Sequence, residues 1–318
     1  MKKRWMLLLV VLAFSVLFIA GCKDDDDSTD PEISAVELMT TYMDANGMAL
    51  TDLLDGWIIA AADIVDVLDD YYVMDIRTGD TDENGIVDYE DGHVPGAVFS
   101  SLGSIVDDAA AADNPIVVVC YTGQSAGHAV MALRLSGYSD AKVLKWGMSG
   151  WHSDFDKWSG ATATLNHPNW IAAPGAIAEA QVFDLPDWET DLEDGSAILA
   201  ERIALITSGF MGVASVDVLD APTDYFVNNY WAAADVETYG NIDGAYRINP
   251  LVLENLDPNE TVVTYCWTGQ TSSMITAYLT LLGYDAKSLK FGANSMIYDD
   301  LQAHKWSASM DYDYETGE

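Results

Sequence analysis

The clearest indication of the fold of this chain comes from residues Pro115-Ile-Val-Val-Val-Cys120-Tyr-Thr-Gly-Gln-Ser-Ala-Gly127. A similar stretch follows later, Glu260-Thr-Val-Val-Thr-Tyr-Cys266-Trp-Thr-Gly-Gln-Thr-Ser272. In each, a short β-branched run predicts a buried strand that ends at a cysteine, and a small polar loop then leads into a predicted helix. A thiol at such a turn faces loop amides and the positive end of the helix dipole, which favour the thiolate.

The two cysteines, Cys120 and Cys266, are therefore the candidate nucleophiles. The alternative is that each is a small apolar residue closing a core strand. Two copies in the same Cys-x-Thr-Gly-Gln context favour the functional interpretation. The candidate substrate-binding loops after the cysteines contain Tyr121, Thr122, Gly123, Gln124, Ser125, Trp267, Thr268, Gly269, Gln270 and Thr271.

The order of motifs around each cysteine also repeats along the chain. Strands alternating with helical segments predict an α/β fold with parallel sheets flanked by helices, in which ligands bind at the carboxyl ends of strands. Gly240-Asn-Ile-Asp-Gly-Ala245 corresponds to Gly92-His-Val-Pro-Gly-Ala97, and Tyr225-Phe-Val-Asn228 to Tyr72-Val-Met-Asp75. This alignment predicts one domain over residues 33–160, a connector over 161–200 and a second domain over 201–318.

Charge excludes one class of function. The 318 residues include 51 acidic and 14 basic side chains, and the formal net charge is −37. Such a field repels nucleic acid and keeps a protein soluble. We therefore expect no nucleic-acid partner.

The N-terminus predicts export and lipidation. Residues 1–22 have a basic start, an apolar run and the ending Ile19-Ala20-Gly21-Cys22, which is similar to a bacterial lipoprotein signal peptide with Cys22 as the lipidated residue. A plain transmembrane anchor is the alternative. Residues 23–32 predict an acidic tether, and Lys23 stands where an Asp would signal retention at the inner membrane. We expect a lipid-anchored protein of the bacterial cell envelope, with the outer membrane favoured over the inner.

Four motifs together resemble the tandem rhodanese family: Asp75-Ile-Arg77, Gly92-His-Val-Pro-Gly-Ala97, the Cys120 loop and Gly147-Met-Ser-Gly-Trp151. A weaker set covers residues 200–305. The resemblance implies two rhodanese-like domains, each with a parallel five-stranded sheet. It also implies that sulfane sulfur passes from a donor to a thiol acceptor through a cysteine persulfide, with no cofactor required.

The residues around the cysteines agree with persulfide chemistry. A persulfide needs no separate general base, and we interpret His128 as a surface or partner-helix residue and His93 as a structural one. Relatives of this fold that act on phosphate need an Arg at the sixth position after the cysteine, where this chain has Ala126 and Ser272. Because the loops also lack a basic residue, we expect polysulfide or persulfide to be better donors than thiosulfate.

The insertion after Arg77 has the spacing of a calcium-binding loop. Its candidate ligands are Asp80, Asp82, Asn84, Ile86 through its carbonyl group, Asp88 and Asp91. A solvated polar hairpin is the alternative. If calcium binds, we expect its role to be structural.

Two other functions remain open at the level of sequence. The chain could be a non-catalytic lipoprotein that uses the scaffold to bind an envelope redox complex. In the second copy Asn228 and Tyr230 replace Asp75 and Arg77, and Asn241 replaces His93. The departures from the family pattern at Ser125, Thr271, Asn228 and Asn241 favour this alternative, whereas the presence of both cysteines opposes it. Thiol redox sensing is the third option and would give reversible oxidation without sulfur transfer.

Overall fold

The computed structural model describes residues 33–317. Ser34 and the residues that follow it form one compact unit. The predicted signal peptide, Cys22 and the acidic tether lie outside the described residues. Among the helices of residues 33–317, none is long and apolar enough to cross a membrane.

The secondary-structure elements alternate along the chain, as the sequence predicts. The strands are β1 (Ile58–Ile59), β2 (Tyr72–Asp75), β3 (Val98–Phe99), β4 (Ile116–Val119), β5 (Lys142–Leu144), β6 (Trp170–Ile171), β7 (Gly212–Val213), β8 (Phe226–Asn229), β9 (Asn241–Ile242), β10 (Val262–Tyr265) and β11 (Ala286–Leu289). The helices are α1 (Ala35–Ala45), α2 (Leu50–Leu53), α3 (Ala61–Ile64), α4 (Asp88–Asp91), α5 (Ile105–Asp108), α6 (Ser125–Leu135), α7 (Gly147–Trp151), α8 (Gly195–Thr207), α9 (Ser215–Asp220), α10 (Ala233–Tyr239) and α11 (Gln270–Leu282).

Two parallel sheets organise these elements. The first sheet has the strand order β1-β5-β4-β2-β3, and the second has β7-β11-β10-β8. The second sheet repeats four strands of the first in the same order. Where β3 would lie, Tyr246 pairs with Asn228 in a single bridge. The predicted α/β class, with two parallel sheets flanked by helices, is confirmed.

Helices α6 and α11 lie between the two sheets and share one hydrophobic core with both. Nearly every residue of α6 is buried, and so is nearly every residue of α11. A helix that is buried on all sides needs no charged outer face, and neither α6 nor α11 contains an Asp, Glu or Lys residue. Each fully buried aliphatic side chain contributes about 1.5–3 kcal/mol, so this shared layer is a major source of stability.

The strand register corrects one equivalence between the two sheets. Asp75 lies opposite the residue directly before the first cysteine, and Asn229 lies opposite the residue directly before the second. The sequence alignment equated Asp75 with Asn228, which is wrong by one residue, because Phe226 rather than Tyr225 occupies the position of Tyr72. A slip of one residue moves a strand side chain to the opposite face of the sheet.

The spacing of the apolar residues between positions 33 and 69 predicts a helical segment, and this prediction is partly wrong. Residues Ile58–Ile59 form β1, the edge strand that pairs with β5, although their spacing fits a helix face. Two β-branched residues are favourable in a strand, and tertiary pairing outweighs the helical pattern here.

Candidate functional site

The first cysteine loop (residues 120–125) holds the sulfur of Cys120 among backbone amides. Cys120 directly follows β4, and its sulfur accepts hydrogen bonds from the N–H groups of Gly123 at 3.1 Å and Ala126 at 3.5 Å. The side chain is only 4% exposed. Converging amides at the start of α6 are suited to stabilising an anionic sulfur.

The second cysteine loop (residues 266–271) gives Cys266 a different environment. Its sulfur accepts a hydrogen bond from the N–H group of Ser272 at 3.4 Å and lies 3.6 Å from the hydroxyl oxygen of the same residue. That hydroxyl also contacts Ser288 at 2.8 Å. The second sulfur therefore has a serine hydroxyl where the first has a second backbone amide.

A glycine supports the back of each cysteine loop. A β-carbon at Gly147 would lie 2.1 Å from the carbonyl oxygen of Cys120, and one at Gly292 would lie 2.3 Å from that of Cys266. Both glycines have positive φ, +59° and +53°. The residue after each glycine donates its N–H to the same carbonyl oxygen, at 2.8 and 3.0 Å. Only glycine allows this close approach, which explains the repeated Lys-aromatic-Gly pattern after β5 and β11.

The structure brings the two cysteine loops into direct contact. Gln270 of the second loop lies over Gly123 of the first, and Gln124 of the first lies over Gly269 of the second. A β-carbon at either glycine would lie 2.2–2.4 Å from the opposite glutamine. Both glutamines are buried. The sequence did not predict their orientation, because it depends on how the N-termini of two helices pack against each other and has no local motif.

Behind the first loop lies a buried ion pair. The guanidinium of Arg77 donates to both carboxylate oxygens of Asp75, at 3.0 and 2.7 Å, and also contacts the carbonyl oxygen of Gly92. Burial raises the pKa of Asp75, and the charge and hydrogen bonds of Arg77 oppose that rise by favouring the carboxylate form. The guanidinium carbon lies 4.9 Å from the ring centre of Tyr121, next to Cys120.

Tyr121 is a neutral hydroxyl at any ordinary pH. Burial, with added hydrogen bonding to Asp88, raises the pKa of Tyr121 to about 12. Tyr121 therefore adds no negative charge near the thiol.

The second half replaces this ion pair with aromatic rings. Trp231 occupies the position of Arg77, and not Tyr230 as the sequence alignment predicted, because the register shift applies here as well. Trp231 stacks on Trp267, with ring centres 4.1 Å apart, just as Arg77 lies over Tyr121. In the second half an uncharged indole ring therefore fills the space that the guanidinium group of Arg77 fills in the first.

His128 lies between α6 and α11 and is fully buried. Its Nδ1 lies 2.9 Å from the hydroxyl oxygen of Ser273, which donates its own proton to the carbonyl oxygen of Gln124. Nδ1 therefore carries the proton, and Nε2 accepts from the N–H group of Met211 at 3.4 Å. Burial lowers the pKa of His128 to about 3. The observed contacts are those of a neutral residue at a helix interface.

His93 has contacts of a structural kind. Its backbone N–H and carbonyl groups pair with Glu315, at 2.9 and 3.0 Å, and its Nδ1 lies 3.0 Å from the carbonyl oxygen of Tyr89. The rings of His93 and Tyr89 also stack at 4.1 Å. These bonds join the turn before β3 to the C-terminal residues, a connection that the sequence did not indicate.

The predicted calcium loop does not gather its ligands around one point. Asp80 accepts two backbone N–H groups, Asp88 accepts the backbone and hydroxyl groups of Thr81, and Asp91 accepts the side-chain amide of Asn84. Within residues 33–317, no group of three or more His, Cys, Asp or Glu side chains is arranged to hold a metal ion. The structure therefore gives the calcium interpretation no support.

Comparison with known proteins identifies the family. Residues 59–154 match the sequence model of the rhodanese-like domain. The thiosulfate sulfurtransferase GlpE of Pseudomonas paraeruginosa is 40% identical over 81 residues, which are 22% of this chain and 74% of that protein. The chain belongs to the rhodanese family.

Two further proteins are similar over a longer part of the chain. SseB of Mycobacterium tuberculosis, provisionally named a thiosulfate sulfurtransferase, is 24% identical over 277 residues, which are 72% of this chain and 90% of that protein. The crystal structure of SseA from Escherichia coli, described as a 3-mercaptopyruvate sulfotransferase, shares 17% identity and covers 79% of this chain and 99% of its own, with a TM-score of 0.27.

Proposed function

We propose that this rhodanese-family protein is a sulfurtransferase that carries sulfane sulfur as a persulfide on Cys120. Sulfurtransferase activity is supported at the level of the family by the domain match and by the named activities of its relatives. The observation that supports the role of Cys120 is the pair of N–H groups, from Gly123 and Ala126, that converge on its sulfur.

The proposed reaction balances without an external oxidant, reductant or cofactor. The thiolate of Cys120 attacks the outer sulfur of a persulfide or polysulfide, the donor S–S bond breaks, and the remainder of the donor leaves as a thiolate or shorter polysulfide. The Cys120 persulfide then gives its terminal sulfur to an acceptor thiolate, which regenerates the Cys120 thiolate. The loop amides stabilise an anionic sulfur in both states.

Cys266 is the weaker candidate for the same chemistry. One backbone amide and a serine hydroxyl contact its sulfur, and the ion pair behind the loop is replaced by Trp231. We assign it a secondary role in sulfur transfer, while the second half supports the first loop through α11. This division follows the predicted domains, residues 33–160 and 201–318 joined by the connector 161–200.

We also propose that the reaction takes place in the cell envelope. The lipobox-like ending at Cys22 supports a lipid anchor and an extracytoplasmic address, with the outer membrane favoured. A protein partner in an envelope redox complex is compatible with this location.

The test of the proposed function is intact mass after exposure to polysulfide and, separately, to thiosulfate. We expect a gain of one sulfur atom that cyanide removes, that is larger with polysulfide, and that disappears in Cys120→Ala but largely remains in Cys266→Ala. Cys266→Ala is the matched control, because it removes an equally buried thiol from the equivalent position. Absence of any adduct in wild-type protein whose thiols are free contradicts the proposal for these donors.

A further inference from the structure

One peptide group connects the two halves of the molecule to the sulfur of Cys120. The peptide between Thr122 and Gly123 donates its N–H to the Cys120 sulfur at 3.1 Å. The carbonyl oxygen of the same peptide accepts from the Nε2 of Gln270 at 3.1 Å and from the indole N–H of Trp158 at 3.3 Å. Both donors come from outside the first cysteine loop.

From this arrangement we infer that Gln270, a residue of the second cysteine loop, is a positioning residue for the nucleophile Cys120. Its side-chain amide orients the Thr122–Gly123 peptide so that the N–H points at the sulfur. Donation to the carbonyl oxygen also polarises the peptide, which strengthens the hydrogen bond made by its N–H. The inference rests on the proposed role of Cys120 and adds a dependence on the second half of the chain.

The packing around Gln270 supports a positioning role over simple space filling. Gln270 is 1% exposed, so water cannot replace its hydrogen bond. Gly123 has φ of +76°, and a β-carbon there would lie 2.2 Å from Nε2, so the glycine is what lets the amide reach the peptide. Gln124 makes the reciprocal contact, because its Oε1 accepts from the N–H of Phe291 beside the second loop at 2.8 Å.

The experiment measures the alkylation of each cysteine by iodoacetamide as a function of pH. Cys120 is followed in a Cys266→Ser background and Cys266 in a Cys120→Ser background, with intact mass as the readout. Gln270→Met keeps the length of the side chain but removes the donor, and Gln270→Glu places an acceptor against the carbonyl oxygen. We expect the alkylation of Cys120 at pH 7 to slow about 3- to 10-fold in both variants, with its pH profile moved to higher pH, because thiolate is the reactive form.

The exposed Gln302→Met is the matched control and is expected to leave both profiles unchanged. An unchanged Cys120 profile in folded Gln270→Met and Gln270→Glu proteins overturns the inference. A slowing of Cys266 as large as that of Cys120 also overturns it, because that result indicates general loosening of the interface. Alkylation requires no sulfur donor, so failure of sulfur transfer is distinguished from failure of this inference. If Gln270→Met does not fold, Gln270→Glu decides the question by the same profile.

Discussion

Replacing Arg77 by Met is expected to destabilise the protein by about 3–5 kcal/mol. The substitution leaves the carboxylate of Asp75 at 0% exposure without the guanidinium that donates to both of its oxygens. The electrostatic attraction between Arg77 and Asp75 is large because little water reaches the site, and the substitution removes it. The protein must then either bury an unpaired carboxylate or protonate it, and both cost free energy. The measurement is the free energy of unfolding from urea titration at pH 7, followed by circular dichroism.

Two further variants separate the charge effect from loss of packing. Arg134 is equally buried but donates only to backbone carbonyl groups, so Arg134→Met should cost less, about 1–3 kcal/mol. The double variant Asp75→Asn with Arg77→Met should be more stable than Arg77→Met alone, because no unpaired charge stays buried. If the double variant is less stable than the single one, the ion pair is not the source of the loss.

In the second half of the molecule, uncharged residues occupy the positions of this ion pair. There Asn229 replaces the acid, and Trp231 fills the position of the guanidinium and stacks on Trp267. A neutral aromatic arrangement therefore fits the same backbone without a buried charge. The ion pair lies behind the first cysteine loop, and its guanidinium group packs against Tyr121. We therefore infer that the charge of Arg77 helps to position the first cysteine loop.

The sequence predicted those parts of the molecule that depend on local chemistry. The β-branched runs before Cys120 and Cys266 form β4 and β10, and the small polar residues after them lead into α6 and α11. Such patterns suffice because a buried parallel strand and a helix start each impose their own residue types.

The sequence could not predict contacts that depend on how distant segments meet. Nothing in the composition of either cysteine loop indicates that Gln124 and Gln270 each pack against a glycine of the opposite loop. The pairing of Glu315 with His93 joins positions more than 200 residues apart and has no sequence pattern. The error at Asn228 has the same origin, because register is set by pairing with the neighbouring strand and not by similarity of side chains. The acidic insertion has the spacing of a calcium loop, but the spacing alone does not determine the partners of its side chains, and Asp88 accepts a hydrogen bond from the hydroxyl group of Thr81.

Acid is expected to weaken the protein through His128, even though this residue does not contact either thiol. Burial lowers the pKa of His128 to about 3, whereas the unfolded chain has the ordinary value of about 6.5. Between these values the unfolded state binds a proton that the folded state excludes, so the contribution is fully present above pH 6.5 and is lost as the pH falls towards 3. Linkage gives a loss of about 2 kcal/mol between pH 7 and pH 5.

The measurement compares urea unfolding at pH 7 and pH 5 for wild type and His128→Asn, which retains an amide near Ser273. The variant has no imidazole to protonate, so its loss between the two pH values should be smaller than that of wild type by about 2 kcal/mol, whatever its absolute stability. Gln302→Asn changes an exposed residue and removes no titratable group, so it should retain the acid sensitivity of wild type. Equal acid sensitivity in wild type and His128→Asn would mean that carboxylates alone cause the acid response. A reduced sensitivity would instead place the response at the α6–α11 interface, where Ser273 joins His128 to the backbone of Gln124 and hence to the first cysteine loop.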